Sequence, residues 1–299
     1  MHAGGPRRPA ALRRSWLFLP GAARQRLVEA GSLGADVLIQ ELEDFTPPEL
    51  RPQARLLSPE VFAGWRRAGV LAAVRINPFE TCGRDDLAGV MKGAPDIVMM
   101  SKVASPDQVA ALDAAITGHE AVLGLPAGST EIVPNIETAA GLVRTAAIVA
   151  ASRRVTAALV ASEDMAADLG AERSVTGEEL AAVRERFLIE CVAAGLVAID
   201  CPFTFSSLAH AEADLLWARR RGFKAKSLVA ADQVALANRL LTPADDEVAA
   251  ARRLVAAFEE ARARGDERCE IDGHLVEVPT VNAARRLIAR AEAFAALAR

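Results

Sequence analysis

Acidic side chains that stand where an apolar run stops are the residues of this chain best placed to do chemistry. Glu41, Glu43 and Asp44 close one such run, Glu137 closes another, and Glu163 and Asp164 follow a third. The runs between them carry cations instead, Arg75 with Asn77 on one and Lys102 on the next. Carboxylates converging at one mouth raise each other's pKa and repel unless something positive is bound among them. A hard divalent cation meets that need. Ligation by one or two carboxylates, with the remaining positions left to water and substrate, is the magnesium pattern. His119, His210 and His274 are scattered, and Cys82, Cys191, Cys201 and Cys269 form no C-x-x-C pair, so neither set points to zinc.

Asp and Glu most often cap helices or pair at the surface. Taken singly, Glu41 and Glu163 fit that ordinary role, and Asp44 is evenly balanced. Glu137 and Asp164 fit it less well, because both sit where a strand stops. Arg75 lies between Val74 and Ile76, so strand alternation turns it to the face opposite both neighbours. An arginine aimed into a barrel needs an anionic partner. The histidines read as structural, and Cys201, near the end of a strand, as a small apolar filler. Arg24 and Arg26, just past Pro20-Gly21, either meet a nucleotide phosphate or lie on an exposed helix face.

The elements that would carry these groups follow from the hydropathy rhythm. Short β-rich runs at 15–20, 37–43, 71–77, 97–102, 131–137, 155–162, 197–203 and 223–230 alternate with amphipathic stretches such as 24–33, 106–115, 138–151, 176–194 and 208–221. Eight βα units predict an α/β fold, a closed (β/α)8 TIM barrel, whose catalytic groups lie at the C-terminal ends of the strands. Ser105 with Pro106, and Thr176 with Glu179, read as helix starts. Residues 1–13 are expected to be disordered and 14–242 to form the barrel. Residues 243–299 are expected to form a C-terminal helical extension, with helices at 244–264 and 280–298, packing on the barrel mouth or a neighbouring subunit.

Composition narrows the classes. A chain of 299 residues with 52% apolar content can bury one large core. Its net charge of −4 gives no overall attraction to nucleic acid or to an anionic membrane. The stretch after Arg13-Arg14 is too short for a signal core, being interrupted at Pro20-Gly21, and reads as the first strand. No run approaches the roughly 18 apolar residues of a membrane span. The four cysteines read as reduced thiols, and the expectation is a soluble cytoplasmic enzyme.

Several motifs in order carry a resemblance. Arg14-Ser15-Trp16-Leu17-Phe18-Leu19-Pro20-Gly21, Leu42-Glu43-Asp44, Val74-Arg75-Ile76-Asn77, Ser101-Lys102-Val103, Ile136-Glu137-Thr138 and Glu163-Asp164-Met165-Ala166-Ala167-Asp168-Leu169-Gly170 closely resemble the citrate lyase beta-subunit-like enzymes of the HpcH/HpaI aldolase superfamily. The resemblance covers nearly the whole chain from Arg14. It implies a (β/α)8 barrel in a homotrimer or hexamer, with Mg²⁺ held by Glu137 and Asp164. It also implies that Arg75 binds oxygens at the reacting centre, and that the substrates are β-hydroxyacyl thioesters of the citryl, malyl or citramalyl type. Their products are an oxo acid and an acyl thioester, with coenzyme A or an acyl carrier as the thiol. Chelation of a 2-hydroxy acid by the cation would lower the hydroxyl pKa and allow the neighbouring carbon to leave as a thioester enolate. Asp44 is placed with the catalytic groups, and Arg14, Arg24 and Lys102 with binding of the thiol carrier.

The chain also departs from the family pattern. Phe45 stands where relatives usually carry Ala and is expected to narrow the mouth, and Ala104 replaces a common Glu. Val229-Ala230-Ala231 replaces an Ile-His-Pro run near the thioester pocket, and Glu277 stands where a lid Asp from an adjacent subunit completes the site. Two alternatives stay open: a thioesterase acting on a malyl-type thioester at the same metal site, and a non-catalytic oxo-acid-binding subunit or sensor.

Overall fold

The computed structural model describes residues 7–266, 268–271 and 273–297. The chain divides into two compact units, Met1–Arg239 and Leu240–Arg299.

The first unit is a closed barrel of eight parallel strands in sequential order. They are β1 (Ser15–Pro20), β2 (Val37–Glu41), β3 (Leu71–Ile76), β4 (Ile97–Met100), β5 (Glu131–Ile136), β6 (Ala157–Val160), β7 (Val197–Asp200) and β8 (Ala225–Leu228). Alternate residues along each strand fill the interior, with Phe18, Ile39, Ala73, Met99, Val133 and Leu159 among the buried core. Counting on by twos from that core carries the alternation to Glu41, Arg75, Asn135 and Glu137. All four are buried. Strand alternation thus sets both the apolar core and the polar floor of the mouth.

The strands end earlier than their sequence runs suggest. β2 stops at Glu41 rather than residue 43, and β7 at Asp200 rather than 203. At β2 the reason is visible: the Glu41 carboxylate accepts from the backbone N–H groups of Glu43 and Phe45, each at 2.6 Å, and folds the chain back on itself. At β6, Val155 makes one isolated bridge to Ile132 before the ladder proper begins.

Close backbone approaches hold the loops over the mouth. Gly21 passes so near β2 that a Cβ would lie 2.3 Å from the Glu41 carbonyl oxygen, and its N–H donates to Thr46 Oγ1 at 2.9 Å. Ser105 starts the helix Pro106–Leu123, and Gln108 reaches back to accept from the Ser105 N–H at 3.1 Å. Thr176 does not cap the next expected helix. Gly177, at φ 64°, is the residue before the helix Glu178–Leu180 and offers no side-chain cap, while the Glu179 carboxylate accepts the Ser174 hydroxyl at 2.6 Å.

The N-terminal segment expected to be disordered is a correction in part. Residues 1–6 lie outside the described residues. From Arg7 the chain is ordered and stapled across the N-terminal end of the barrel: Arg7 pairs with Asp96 at 2.9 Å, Arg8 with Asp36 at 2.6 Å and Arg13 with Glu131 at 2.6 Å. Asp36, Asp96 and Glu131 stand at or just before strand starts.

In the second unit the helices Asp245–Ala263 and Val278–Leu297 enclose a small core of Phe258, Val276 and Val281. The link between them is an antiparallel pair, Cys269–Ile271 with His274–Val276, rather than a plain connection. The salt bridge Arg252–Glu292 joins the helices at 2.8 Å, and Arg285–Glu259 at 2.9 Å. Among the described residues no helix is long and apolar enough to cross a membrane.

Candidate functional site

Arg75 is the hub of the mouth. Its Nε donates to Glu41 Oε1 at 2.9 Å, one terminal nitrogen lies 3.2 Å from Glu43 and 3.4 Å from Asp44, and the other lies 3.5 Å from Glu137. The guanidinium also rests 5.0 Å above the centre of the Phe18 ring. Burial alone would lower the Arg75 pKa, but Glu41, Glu137, Glu43 and Asp44 outweigh it and raise it above the ordinary arginine value. The side chain is a fixed cation.

Lys102 is the second cation. It adopts φ 53°, a left-handed conformation that a side-chain-bearing residue holds only where its surroundings impose it. From there Nζ bonds Glu43 at 2.6 Å and lies 3.6 Å from Asp164. Burial would lower its pKa, yet the hydrogen bond and charge of Glu43 raise it.

The carboxylates differ sharply in how well they are satisfied. Glu41 is saturated by two backbone N–H groups and Arg75. Glu137, fully buried, receives no hydrogen bond on either oxygen from the described residues, because Arg75 is near it without pointing a donor at it. Burial, reinforced by the charges of Glu43 and Asp164 and opposed by Arg75, pushes the Glu137 carboxyl up to about 8. Burial likewise raises Glu43, whose Oε2 also lacks a hydrogen-bond partner among the described residues. Buried carboxylate oxygens without donors in a strongly acidic mouth fit a bound cation of hard, oxygen-seeking type. Among the described residues no three His, Cys, Asp or Glu side chains converge as a closed protein cage. Glu137 lies within the electrostatic reach of Asp164.

Two local devices set Glu137 and Asp164 against each other. Thr138 caps the short helix Ala139–Leu142, accepting from the Gly141 N–H at 3.1 Å, so Glu137 ends β5 as the chain turns into a helix. Asp164 opens the helix Glu163–Leu169, and from the same helix Asp168 accepts the Ala139 N–H at 2.7 Å. One carboxylate therefore ties the segment bearing Asp164 to the segment bearing Glu137. A Cβ on Gly141 would lie 2.5 Å from the Val103 carbonyl oxygen, so only glycine lets the loop carrying Lys102 approach as closely.

Within the first unit the structure brings Arg75, Asp44, Lys102, Glu137 and Asp164 together and leaves Arg14 and Arg24 elsewhere. Arg14 precedes β1 at the opposite end of the barrel, where its backbone and guanidinium bind Asp36 at 2.7–2.9 Å. Its expected place in carrier binding is corrected accordingly. Arg24 starts the helix after β1 on the mouth side, outside the carboxylate cluster, in an exposed ion pair with Glu60. Glu277 belongs to the second unit, exposed just ahead of Val278–Leu297, whose Val281 N–H bonds its carbonyl at 3.1 Å.

Glu41 and Glu43 are the site residues that reasoning from the sequence underrated. Glu41 reads there as a surface group but is fully buried against Arg75. The signal was available, since Val37, Ile39 and Glu41 share one face of β2. Glu163 keeps its ordinary role, bonding Thr204 at 2.6 Å and Arg173 at 3.1 Å. Phe45 stands edge-on to Phe18, ring centres 6.4 Å apart, above the arginine. Asn77 donates to the Leu42 carbonyl and to Asp86, each at 2.8 Å, and so braces the loop that carries Glu43. Cys201 is buried and its thiol is pushed up to about 11, which suits a filler and not a thiolate nucleophile.

The HpcH/HpaI aldolase/citrate lyase family model matches residues 14–231. The citrate lyase subunit beta of Leuconostoc mesenteroides subsp. cremoris is 30% identical over 286 residues, covering 94% of both chains. A (3S)-malyl-CoA thioesterase of Cereibacter sphaeroides is 29% identical, covering 95% of this chain and 96% of that one. Among solved structures, protein CitE from Mycobacterium tuberculosis in complex with magnesium, acetoacetate and coenzyme A superposes with a TM-score of 0.76 at 26% identity, covering 95% of this chain and 99% of that one. On the sequence match across the barrel and the agreement in fold, this chain belongs to the HpcH/HpaI aldolase/citrate lyase family.

Proposed function

We propose that this protein is a magnesium-dependent carbon-carbon lyase that cleaves, or in reverse forms, a β-hydroxyacyl thioester of the citryl, malyl or citramalyl type. The products are an oxo acid and an acyl thioester. The observation that carries the reading is the buried Glu137 carboxylate, without a hydrogen-bond donor on either oxygen among the described residues, near Asp164 and Arg75. The relatives support it through a citrate lyase subunit and through a structure holding magnesium, a 3-oxo acid and coenzyme A.

In this reading Glu137 and Asp164 hold the magnesium ion, which when bound polarises the oxygens of a 2-hydroxy or 2-oxo acid. Arg75, fixed on one edge by Glu41, presents its other nitrogens to the oxygen on which negative charge gathers as the bond breaks. Lys102 holds Glu43 by a hydrogen bond at 2.6 Å that favours the carboxylate form against the effect of burial. Asp44, half-exposed beside Arg75, borders the substrate and limits how the guanidinium can turn. Arg24 is the cation offered to a phosphate of the thiol carrier, because an exposed pair such as Arg24–Glu60 is readily exchanged. The proposal includes a cytoplasmic homotrimer or hexamer in which Glu277 of a neighbouring copy completes the site.

A thioesterase at the same centre is the second reading, favoured by the malyl-CoA thioesterase among the relatives. Product analysis tests both. Malyl-CoA and citryl-CoA are incubated with the protein and magnesium, and products are separated by chromatography. A lyase yields an oxo acid in step with a shortened acyl thioester, whereas a thioesterase yields free coenzyme A in step with the intact hydroxy acid. No turnover of either substrate would overturn the lyase reading for these thioesters.

A further inference from the structure

Directly beneath Glu137 on the inner face of β5 stands a second unsatisfied polar group. Asn135 is fully buried, and neither its Oδ1 nor its Nδ2 has a hydrogen-bond partner among the described residues. Its position is fixed from both sides. It stands in register with Leu159 of the barrel core, and its carbonyl accepts the Val103 N–H at 3.1 Å from the loop that carries Lys102. An amide taken out of water without a partner costs free energy, and an apolar residue of the same branching would avoid that cost. A polar group at this depth therefore calls for a partner that is not a protein side chain.

Glu137 supplies the other half of the arrangement. Two residues apart on one strand face, the side chains start roughly 6.6 Å from each other along β5. That is too far for a direct bond between such short arms held upright, and the span that one water molecule bridges. Buried waters occur where at least two polar groups otherwise lack partners, and Asn135 and Glu137 together present four orphaned atoms.

We propose that Asn135 is a positioning residue that, through an ordered water accepting from its Nδ2 and donating to Glu137, fixes the orientation of the carboxylate that holds the divalent cation. The inference rests on the reading that Glu137 is a cation ligand. It assigns Asn135 no contact with substrate. Groups that orient a metal ligand from behind typically change metal affinity 10–100-fold when removed, and Asn135 falls in that class.

Magnesium titration by calorimetry on the full chain tests it, with wild type, Glu137→Ala, Asn135→Leu and Asn135→Ser measured alongside their melting temperatures. Leucine matches the branching of asparagine and removes both polar atoms. The expected result is at least a tenfold loss of magnesium affinity in Asn135→Leu with a melting temperature at or above that of wild type, and recovery of most of the affinity in Asn135→Ser, whose hydroxyl can still hold a water. A purely structural amide would move the melting temperature and leave the affinity alone. Magnesium binding by Asn135→Leu within twofold of wild type overturns the inference while leaving the cation site standing. No magnesium binding by wild type, or binding unaffected by Glu137→Ala, overturns the cation site itself and this inference with it. Should the leucine variant fail to fold, Asn135→Ala is held to the same tenfold criterion.

Discussion

Arg75 gives its Nε to Glu41 at 2.9 Å, and that bond leaves both of its terminal nitrogens facing Glu43, Asp44 and Glu137. Lysine carries the same charge but cannot bond on one edge and present a fork on the other. Arg75→Lys is therefore expected to fold normally by circular dichroism and to lose roughly 10²–10³ in kcat, the usual cost of removing an oxyanion donor. Unchanged turnover in this variant would remove Arg75 from the chemistry.

Glu137 binds a proton more tightly when folded than when unfolded, since burial lifts its carboxyl to about 8 from the ordinary 4.5. A group raised in this way contributes stability that is complete below its unfolded pKa and is lost as pH rises through the folded one. With chelator present, the melting temperature should fall between about pH 5 and pH 8 more steeply for wild type than for Glu137→Gln. Magnesium should flatten the profile by taking the proton's place. Near neutral pH, magnesium binding should also release close to one proton, measured by calorimetry in buffers of different ionisation enthalpy. Equal pH profiles for wild type and Glu137→Gln would contradict this account of the carboxyl.

The hydrogen bond from the Ala139 N–H to Asp168 predicts a separation between two similar substitutions. Asp168→Ala removes the tie between the helix bearing Asp164 and the segment that follows Glu137, and should weaken magnesium binding about tenfold, in the range of other supporting groups. Asp168→Asn keeps an acceptor oxygen and should stay near wild type. Equal losses in the two variants would point to charge, and not to the tie, as what matters.

Much of this was legible in the sequence for a simple reason: alternation along a strand decides which side chains enter the barrel, and it is written in the residue order. The eight runs and the inward turns of Arg75 and Glu137 follow from it, whereas Asp164 lies beyond β6 in the helix Glu163–Leu169. The same count places Glu41 inside, since it shares a face with Val37 and Ile39, against the general tendency of glutamates to lie at surfaces. Strands end earlier than the sequence runs because residue type goes on alternating after the ladder has stopped. At Glu43 the backbone is already bound to the Glu41 carboxylate. Pairing across the chain left no local trace. Arg7, Arg8 and Arg13 fall in the segment expected to be disordered, and their acidic partners at the strand starts are remote in sequence.

Arg14 shows how motif position and spatial position part. It lies within the first matching motif, yet it sits at the far end of β1 from the mouth, bound to the buried Asp36. Arg14→Ala should lower the melting temperature and leave KM for the thioester unchanged. A raised KM with an unchanged melting temperature would restore it to substrate binding.

Central to the account is one ion shared by Glu137 and Asp164 next to Arg75. A crystal structure with magnesium and an oxo acid tests that most directly. The expected result is one metal within about 2.0–2.1 Å of an oxygen from each carboxylate, the magnesium distance for oxygen ligands, with the oxo acid in contact with Arg75. A metal held by other residues, or an oxo acid bound away from Arg75, would contradict it.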